Sequence, residues 1–389
     1  MVNVSKPSLF YILLVLSPVG LVLNYVDYDS LIVFLISAIS LIPLAKLIGD
    51  STERLSIYYG PTVGSLLNVT FGNSAEIIIA IVAISAGLLN LVKASITGSI
   101  LGNILLVFGL SIIAAGAFEK NKEQSFSRHN ASIQTSMLFL AIIGLAVPTI
   151  LSNTELRTTA TTTTTITASK QLDNQTRIQL LSDILAFLLL SAYIAGIVFT
   201  FITHKQLFYQ IKGQRKEEKS HGRPAQQQEQ QYHHNSIWSK KTSFVILGIS
   251  MIGVVAVSEV LVDSVEATTK RFGFGELFVG AVVVGIVGNA AEHSSAIMLA
   301  RKGKLDLSIG IAAGSGTQVA LFVVPILVIA GMVMNNQFTL VFTVFELVAI
   351  FLAAIILNLI AHDGKSNWFE GFMLTIVYII FAAGFFFIR

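Results

Sequence analysis

Apolar positions fall in long runs separated by short polar connections. A bilayer core takes about 20 mostly apolar residues per helical span. Eleven runs approach that length: 8–26, 31–48, 64–88, 91–117, 131–151, 179–203, 241–262, 276–300, 306–333, 339–361 and 368–388. The pattern predicts an all-α integral membrane protein with eleven transmembrane helices. Lys6 precedes the first run, but no small-residue cleavage site follows it, so residues 1–30 read as a retained extra helix rather than a leader.

Composition narrows the class. Of 389 residues, 54% are hydrophobic and 12% charged, against roughly 25% charged in soluble domains, which excludes an ordinary soluble enzyme. Cysteine is absent, so disulfides, thiolate metal sites and cysteine nucleophiles drop out, and a metal would have to bind through oxygen or imidazole. Net charge is only +3 and the basic residues are scattered, which gives no support to a nucleic-acid partner. The expected partner is the lipid bilayer; protein partners stay undefined, and no cofactor is expected. With the N-terminus in the cytosol, 18 of the 25 lysines and arginines fall inside. The other seven, Lys93, Arg157, Lys170, Arg177, Lys270, Arg271 and Arg389, fall outside. That alternation suits eleven spans with an external C-terminus.

Two connections are long. Residues 152–178 include a run of threonines and read as a polar external loop. Residues 204–240, rich in Lys, Gln and His, read as a disordered cytosolic linker, in which His221, His233 and His234 could bind a metal or sense pH but are more simply solvated. The linker, 205–240, divides the chain into a five-span segment at 31–204 and another at 241–389.

The two segments share a motif. Gly72-Asn73-Ser74-Ala75-Glu76 in the third span returns 216 residues later as Gly288-Asn289-Ala290-Ala291-Glu292 in the eighth. The following spans match too, Gly98-Ser99 with Gly102-Asn103 against Gly314-Ser315 with Thr317-Gln318. Five is odd, so the two segments must enter the membrane from opposite sides, the inverted-repeat plan in which transporters hold an ion near the midplane. Helix packing would explain the glycines but not the acids: a carboxylate at the centre of a membrane helix costs about 2.5 to 3.5 kcal/mol. Each Gly and Glu lie four apart, on one helix face. Gly-Asn in mid-span is a poor helix stretch whose breaking would free carbonyl oxygens. Two carboxylates with backbone and amide oxygens suit Ca2+, a hard cation taking 6 to 8 oxygen ligands. The same pair could instead hold protons, and metal and protons would then compete.

The remaining polar residues within spans invite roles of their own. Asn103 and Gln318 could add amide oxygens or hydrogen-bond the glutamates, while Ser99, Ser315 and Thr317 are ordinary at helix contacts and could ligate. Glu259 could relay protons or pair with a buried donor such as His293. Glu53 and Glu266, near span ends, could line an entrance or gate, although a solvated interfacial acid is the ordinary explanation. Glu346 is a lone acid without a repeat mate, and Asp183 reads as interfacial.

At Asn68 to Glu76, Gly98 to Asn103, Ser258 to Val262, Gly288 to His293 and Ser315 to Pro325, the chain resembles the calcium/proton exchanger family of the cation/calcium exchanger superfamily. The resemblance implies an antiporter exchanging cytosolic Ca2+ for H+, with ten core helices preceded by one extra. Glu76 and Glu292 would bind the cation, helped by carbonyls near Gly72 and Gly288, with Asn73 and Asn289 beside them. The second and seventh helices would slide or tilt to switch access. The short N-terminus, without a long regulatory tail, leans toward a prokaryotic plasma membrane, with a vacuolar membrane as the alternative. The chain departs from the family in having Ser74 opposite Ala290, and in a basic, Gln-rich linker where some eukaryotic members have an acidic helix. A sodium/calcium exchanger of the same superfamily is the main rival, distinguished by sodium-dependent flux, and a passive cation channel is another. A membrane-embedded enzyme lacks support: no metal-binding His pair, no nucleophile with its base and no phosphate-binding loop is present.

Overall fold

The computed structural model describes residues 12–116, 123–161, 168–203 and 238–388. The sequence's linker histidines lie outside them. In chain order the helices are α1 (Leu16–Tyr25), α2 (Ser30–Gly72), α3 (Ser74–Ser85), α4 (Leu89–Leu101), α5 (Phe108–Gly116), α6 (Arg128–Thr161), α7 (Ala168–Val198) and α8 (Lys240–Phe272). They continue with α9 (Glu276–Gly288), α10 (Ala290–Arg301), α11 (Leu305–Gln318), α12 (Val324–Val333), α13 (Val344–Ala361) and α14 (Trp368–Phe387). The π-helical turns Gly102–Val107 and Val319–Val323 join α4 to α5 and α11 to α12 without a break. Two short antiparallel strands, β1 (Gln124–Ser125) and β2 (Lys365–Ser366), pair at one end of the bundle.

Among the described residues nine helices are long and apolar enough to cross a membrane, or ten if the bent pair α9 and α10 makes one span. The eleventh expected span, 8–26, begins outside the described residues, and the apolar helix there runs from Leu13 to Tyr25. The sequence left 49–63 as a connection, yet the first leg of α2 stays helical through Tyr59, past the polar residues Asp50 to Arg54. The chain then doubles back: a Cβ built on Gly64 would fall 2.4 Å from Ser56 Cβ. Eight residues of straight helix cover about 12 Å, so a sharp reversal lies between those two positions, and Gly64 fits because it has no side chain to collide.

Two expected boundaries are corrected. The threonine-rich stretch is helical wherever it is described, since α6 runs to Thr161 and α7 begins at Ala168. Helices already nucleated in the membrane extend into it at the small cost of propagation. The tenth span begins at Val344 rather than 339, because 336–343 is a non-helical segment that bonds to α6 and α7. Its buried backbone finds hydroxyl partners there: Leu340 N donates to Ser182 Oγ at 3.0 Å and Phe342 N to Thr149 Oγ1 at 3.1 Å. Thr343 then opens α13 with a capping box closed by Glu346.

The first leg of α2 and the full length of α8 run antiparallel and are fastened at both ends. At one end Arg271 Nη1 donates to Asp29, which also caps the first turn of α2. The guanidinium holds the Asp29 carboxyl below the usual carboxylate range. At the other end the Arg54 guanidinium lies 4.5 Å from the Trp238 ring centre, Lys240 Nζ lies 4.1 Å from the Tyr59 ring, and Tyr58 Oη donates to Trp238 O at 3.0 Å. Ser239 caps α8 between them.

The tightest crossing in the core is between α4 and α9. A Cβ on Gly98 would lie 1.9 Å from Ala281 O, and one on Gly285 would lie 2.9 Å from Ser99 N. Small residues let these backbones touch, which seats Ser99 beside the break after Gly288. Gly98→Leu should therefore lower the melting temperature in detergent, by overpacking worth about 1–3 kcal/mol. Gly248→Ala in α8, with nothing within 4 Å of the new methyl, should be neutral or stabilise by up to about 1 kcal/mol. Equal melting of the two variants would contradict the contact.

Candidate functional site

Both Gly-Asn pairs break the helix. Asn73 (φ −89°, ψ 9°) separates α2 from α3, and Asn289 (φ −102°, ψ 3°) separates α9 from α10, which meet at a bend of 59°. Each break starts a new helix whose first turn carries the acid, Glu76 in α3 and Glu292 in α10. The unpaired N–H groups and the dipole of a helix start favour a negative group there.

The two acids cross over. A Cβ on Gly72 would sit 3.3 Å from Glu292 Oε1, and one on Gly288 would sit 3.2 Å from Glu76 Cγ. Each glutamate thus rests against the glycine one turn before the other, where a larger residue would displace it. Ser99 Oγ donates to Glu76 Oε1, and Ser315 Oγ donates to Glu292 Oε2 at 2.5 Å, both pairs 23 residues apart. Asn289 Nδ2 donates to Glu76 Oε1 and lies 2.9 Å from Ser99 Oγ and 3.0 Å from Gly285 O. Asn73 Nδ2 donates to Gln318 Oε1 at 3.0 Å.

The structure thus brings together Gly72, Asn73, Glu76 and Ser99 with Gly288, Asn289, Glu292, Ser315 and Gln318. Asn103 is buried at the start of its π-helical turn near Gly316, but neither of its amide atoms has a hydrogen-bond partner among the described residues. His293 is buried at the edge of the cluster, its ring beside Gly102 and its Nε2 likewise without a partner. Thr317 points away and donates to Ala313 O and Gln134 O.

Other expected residues lie elsewhere. Glu259 is exposed on α8 and does not meet His293, because the helix turns that face outward with Asp263 and Glu266. Glu53 and Glu266 are exposed near opposite ends of the α2 and α8 pair, and Glu266 accepts from Lys270 at 2.5 Å. Glu346 is buried and committed to its own helix start, accepting from Thr343 N and Oγ1, with Thr97 Oγ1 at 3.4 Å. Among the contacts missed from sequence, the one without a repeat counterpart is the bond between Asn73 and Gln318. The two are 245 residues apart and do not correspond under the repeat, so spacing carried no sign of it.

Among the described residues no three acidic or imidazole side chains gather on one point. A cation here would add hydroxyl, amide, backbone and water oxygens to two carboxylates. Ser315→Ala would strip Glu292 of its hydroxyl donor at a cost of about 1–3 kcal/mol, whereas Ser99→Ala leaves Glu76 held by Asn289. The lower melting temperature in detergent should therefore belong to Ser315→Ala.

A bundle of membrane-length helices, with two acids on opposed helix breaks, defines a multispanning membrane protein with a candidate cation site. Residues 29–202 and 242–387 match the family model described as sodium/calcium exchanger protein. A Ca2+/H+ antiporter of Aphanothece halophytica is 37% identical over 388 residues, covering 98% of this chain and 97% of its own length. The Ca2+/H+ antiporter ChaA of Bacillus subtilis is 37% identical over 380 residues, covering 97% and 99%. The solved structure of native YfkE superposes with a TM-score of 0.76 at 34% identity, covering 98% of this chain and all of that one. The chain belongs to the calcium/proton exchanger family, within the sodium/calcium exchanger proteins.

Proposed function

We propose that the chain is a secondary active antiporter exchanging cytosolic Ca2+ for H+ by alternating access at one midplane site built from Glu76 and Glu292. The observation that carries this reading is reciprocity: each acid lies against the glycine preceding the other segment's helix break. Two carboxylates match the charge of one divalent cation, and the hydroxyl and amide groups beside them are the hard oxygen donors that Ca2+ takes. Relatives named Ca2+/H+ antiporters, similar over nearly their whole length, support the same pair of ions.

Coupling follows from neutralisation. Two carboxylates held together in an apolar bundle need either a cation or protons, and if access switches only in the neutralised state, exchange is obligatory. The antiparallel run of α2 and α8, and hydrogen bonds repeated at a 216-residue offset, support two inverted five-helix segments, 31–204 and 241–389, behind an extra first helix. The N-terminus then faces the cytosol and the C-terminus the outside, in a prokaryotic plasma membrane. Glu53 and Glu266, at opposite ends of the α2 and α8 pair, suit entrances on the two sides.

Radiolabelled Ca2+ uptake into proteoliposomes with an acid interior tests this. Uptake should collapse with a protonophore, ignore sodium gradients, and disappear in both Glu76→Gln and Glu292→Gln. A requirement for sodium would move the protein to sodium-coupled exchange at the same site. Proton-driven uptake surviving in the double Gln variant would sink the site.

A further inference from the structure

The two sides of the site are not wired alike. At the 216-residue offset Asn73 corresponds to Asn289, Ile77 to His293 and Gly102 to Gln318. Asn289 gives its amide to Glu76, but Asn73 gives its amide to Gln318. Gly102 offers no such acceptor; a Cβ there would lie 3.7 Å from Cε1 of the His293 ring. One crossing therefore sets a histidine against a glycine, and the other sets a glutamine against Asn73. Glu76 takes two donors, Ser99 and Asn289, both at Oε1, while its Oε2 is buried without a partner among the described residues; Glu292, among the described residues, takes Ser315 alone.

We propose that Gln318 is a positioning residue that makes the two glutamates unequal: by holding the Asn73 amide it leaves Glu292 with one donor and able to turn toward an incoming cation, while Glu76 stays fixed. The inference rests on the assignment of both glutamates to the cation site, and adds which of them moves. Turning a carboxylate toward a cation breaks the hydrogen bonds that fix its side chain, and bonds to a charged group are the strong ones; Glu76, fixed at Oε1, presents its unpartnered Oε2 in place. The acid with fewer donors is recruited with the least rearrangement. Gln318 acts through Asn73 and need not touch the ion.

The experiment is Ca2+ uptake at fixed pH in proteoliposomes, with KM and maximal rate measured for wild type, Gln318→Met and Gln318→Gly, each alone and combined with Asn73→Ala. Either substitution removes the acceptor that draws the Asn73 amide away from the place that Asn289, its repeat mate, takes beside Glu76. KM for Ca2+ should rise about tenfold, the scale of one hydrogen bond to a charged group, with the maximal rate little changed. In the Asn73→Ala background the same substitutions should leave KM where Asn73→Ala alone puts it. A KM shift of equal size in both backgrounds, or none in either, overturns the role of Gln318. The glycine variant copies the residue at position 102 and carries the test if the methionine variant does not assemble. Failure of the underlying assignment shows separately, as uptake that persists in Glu76→Gln and Glu292→Gln whatever stands at position 318.

Discussion

An acid carried into a bundle of apolar helices has to be met there by donors or by opposite charge, because hydrocarbon offers neither. The centre of this protein is organised around meeting that demand twice. Asn73 and Asn289 interrupt their helices so that new ones begin at the acids, Ser99 and Ser315 supply hydroxyls from the next helix, and Gly72 and Gly288 make room for the opposing side chain. The close crossing at Gly98 and Ala281 is the support that brings Ser99 within reach. Glu346, the other buried acid among the described residues, meets the same demand by closing a helix cap, which is why it takes no part in the site.

Outside this centre the most firmly fastened elements are the first leg of α2 and α8. An ion pair at one end and stacked cations and rings at the other fix their register along the axis, and apolar packing fills the length between. Sliding of one helix past the other would break both fastenings, so any movement that these helices make is made together. The site, carried on α3, α4, α10 and α11, lies beside that pair rather than within it.

Much of this was legible in the sequence because the membrane writes in long, unambiguous runs. Apolar length located nearly every span and the paired Gly-Asn-x-x-Glu motifs located both breaks, but the sequence offered Asn103 and Gln318 as partners of the glutamates, and the bond from each glutamate to the serine 23 residues on came only with the structure. Sequence failed where the determinant was not local. The reversal near Gly64 follows a helical stretch whose polar residues, Asp50 to Arg54, made it read as a connection. The start of α13 depends on hydroxyls from Ser182 and Thr149, which are distant in the chain. Glu259 looked buried because its span is apolar, but helical phase turns it outward. The bond from Asn73 to Gln318 breaks the repeat, and a repeat is what sequence reasoning extends.

The π-helical turns after α4 and α11 bear on compliance. A π turn bonds each residue to the fifth along rather than the fourth, so it stores about one residue of surplus chain. Residues 102–107 and 319–323 place that slack directly beyond Ser99 and Ser315. A helix so built yields along its axis by about 1.5 Å per residue taken up. The hydroxyls that hold the acids thus sit, in both segments, about one turn before a length of chain held in reserve.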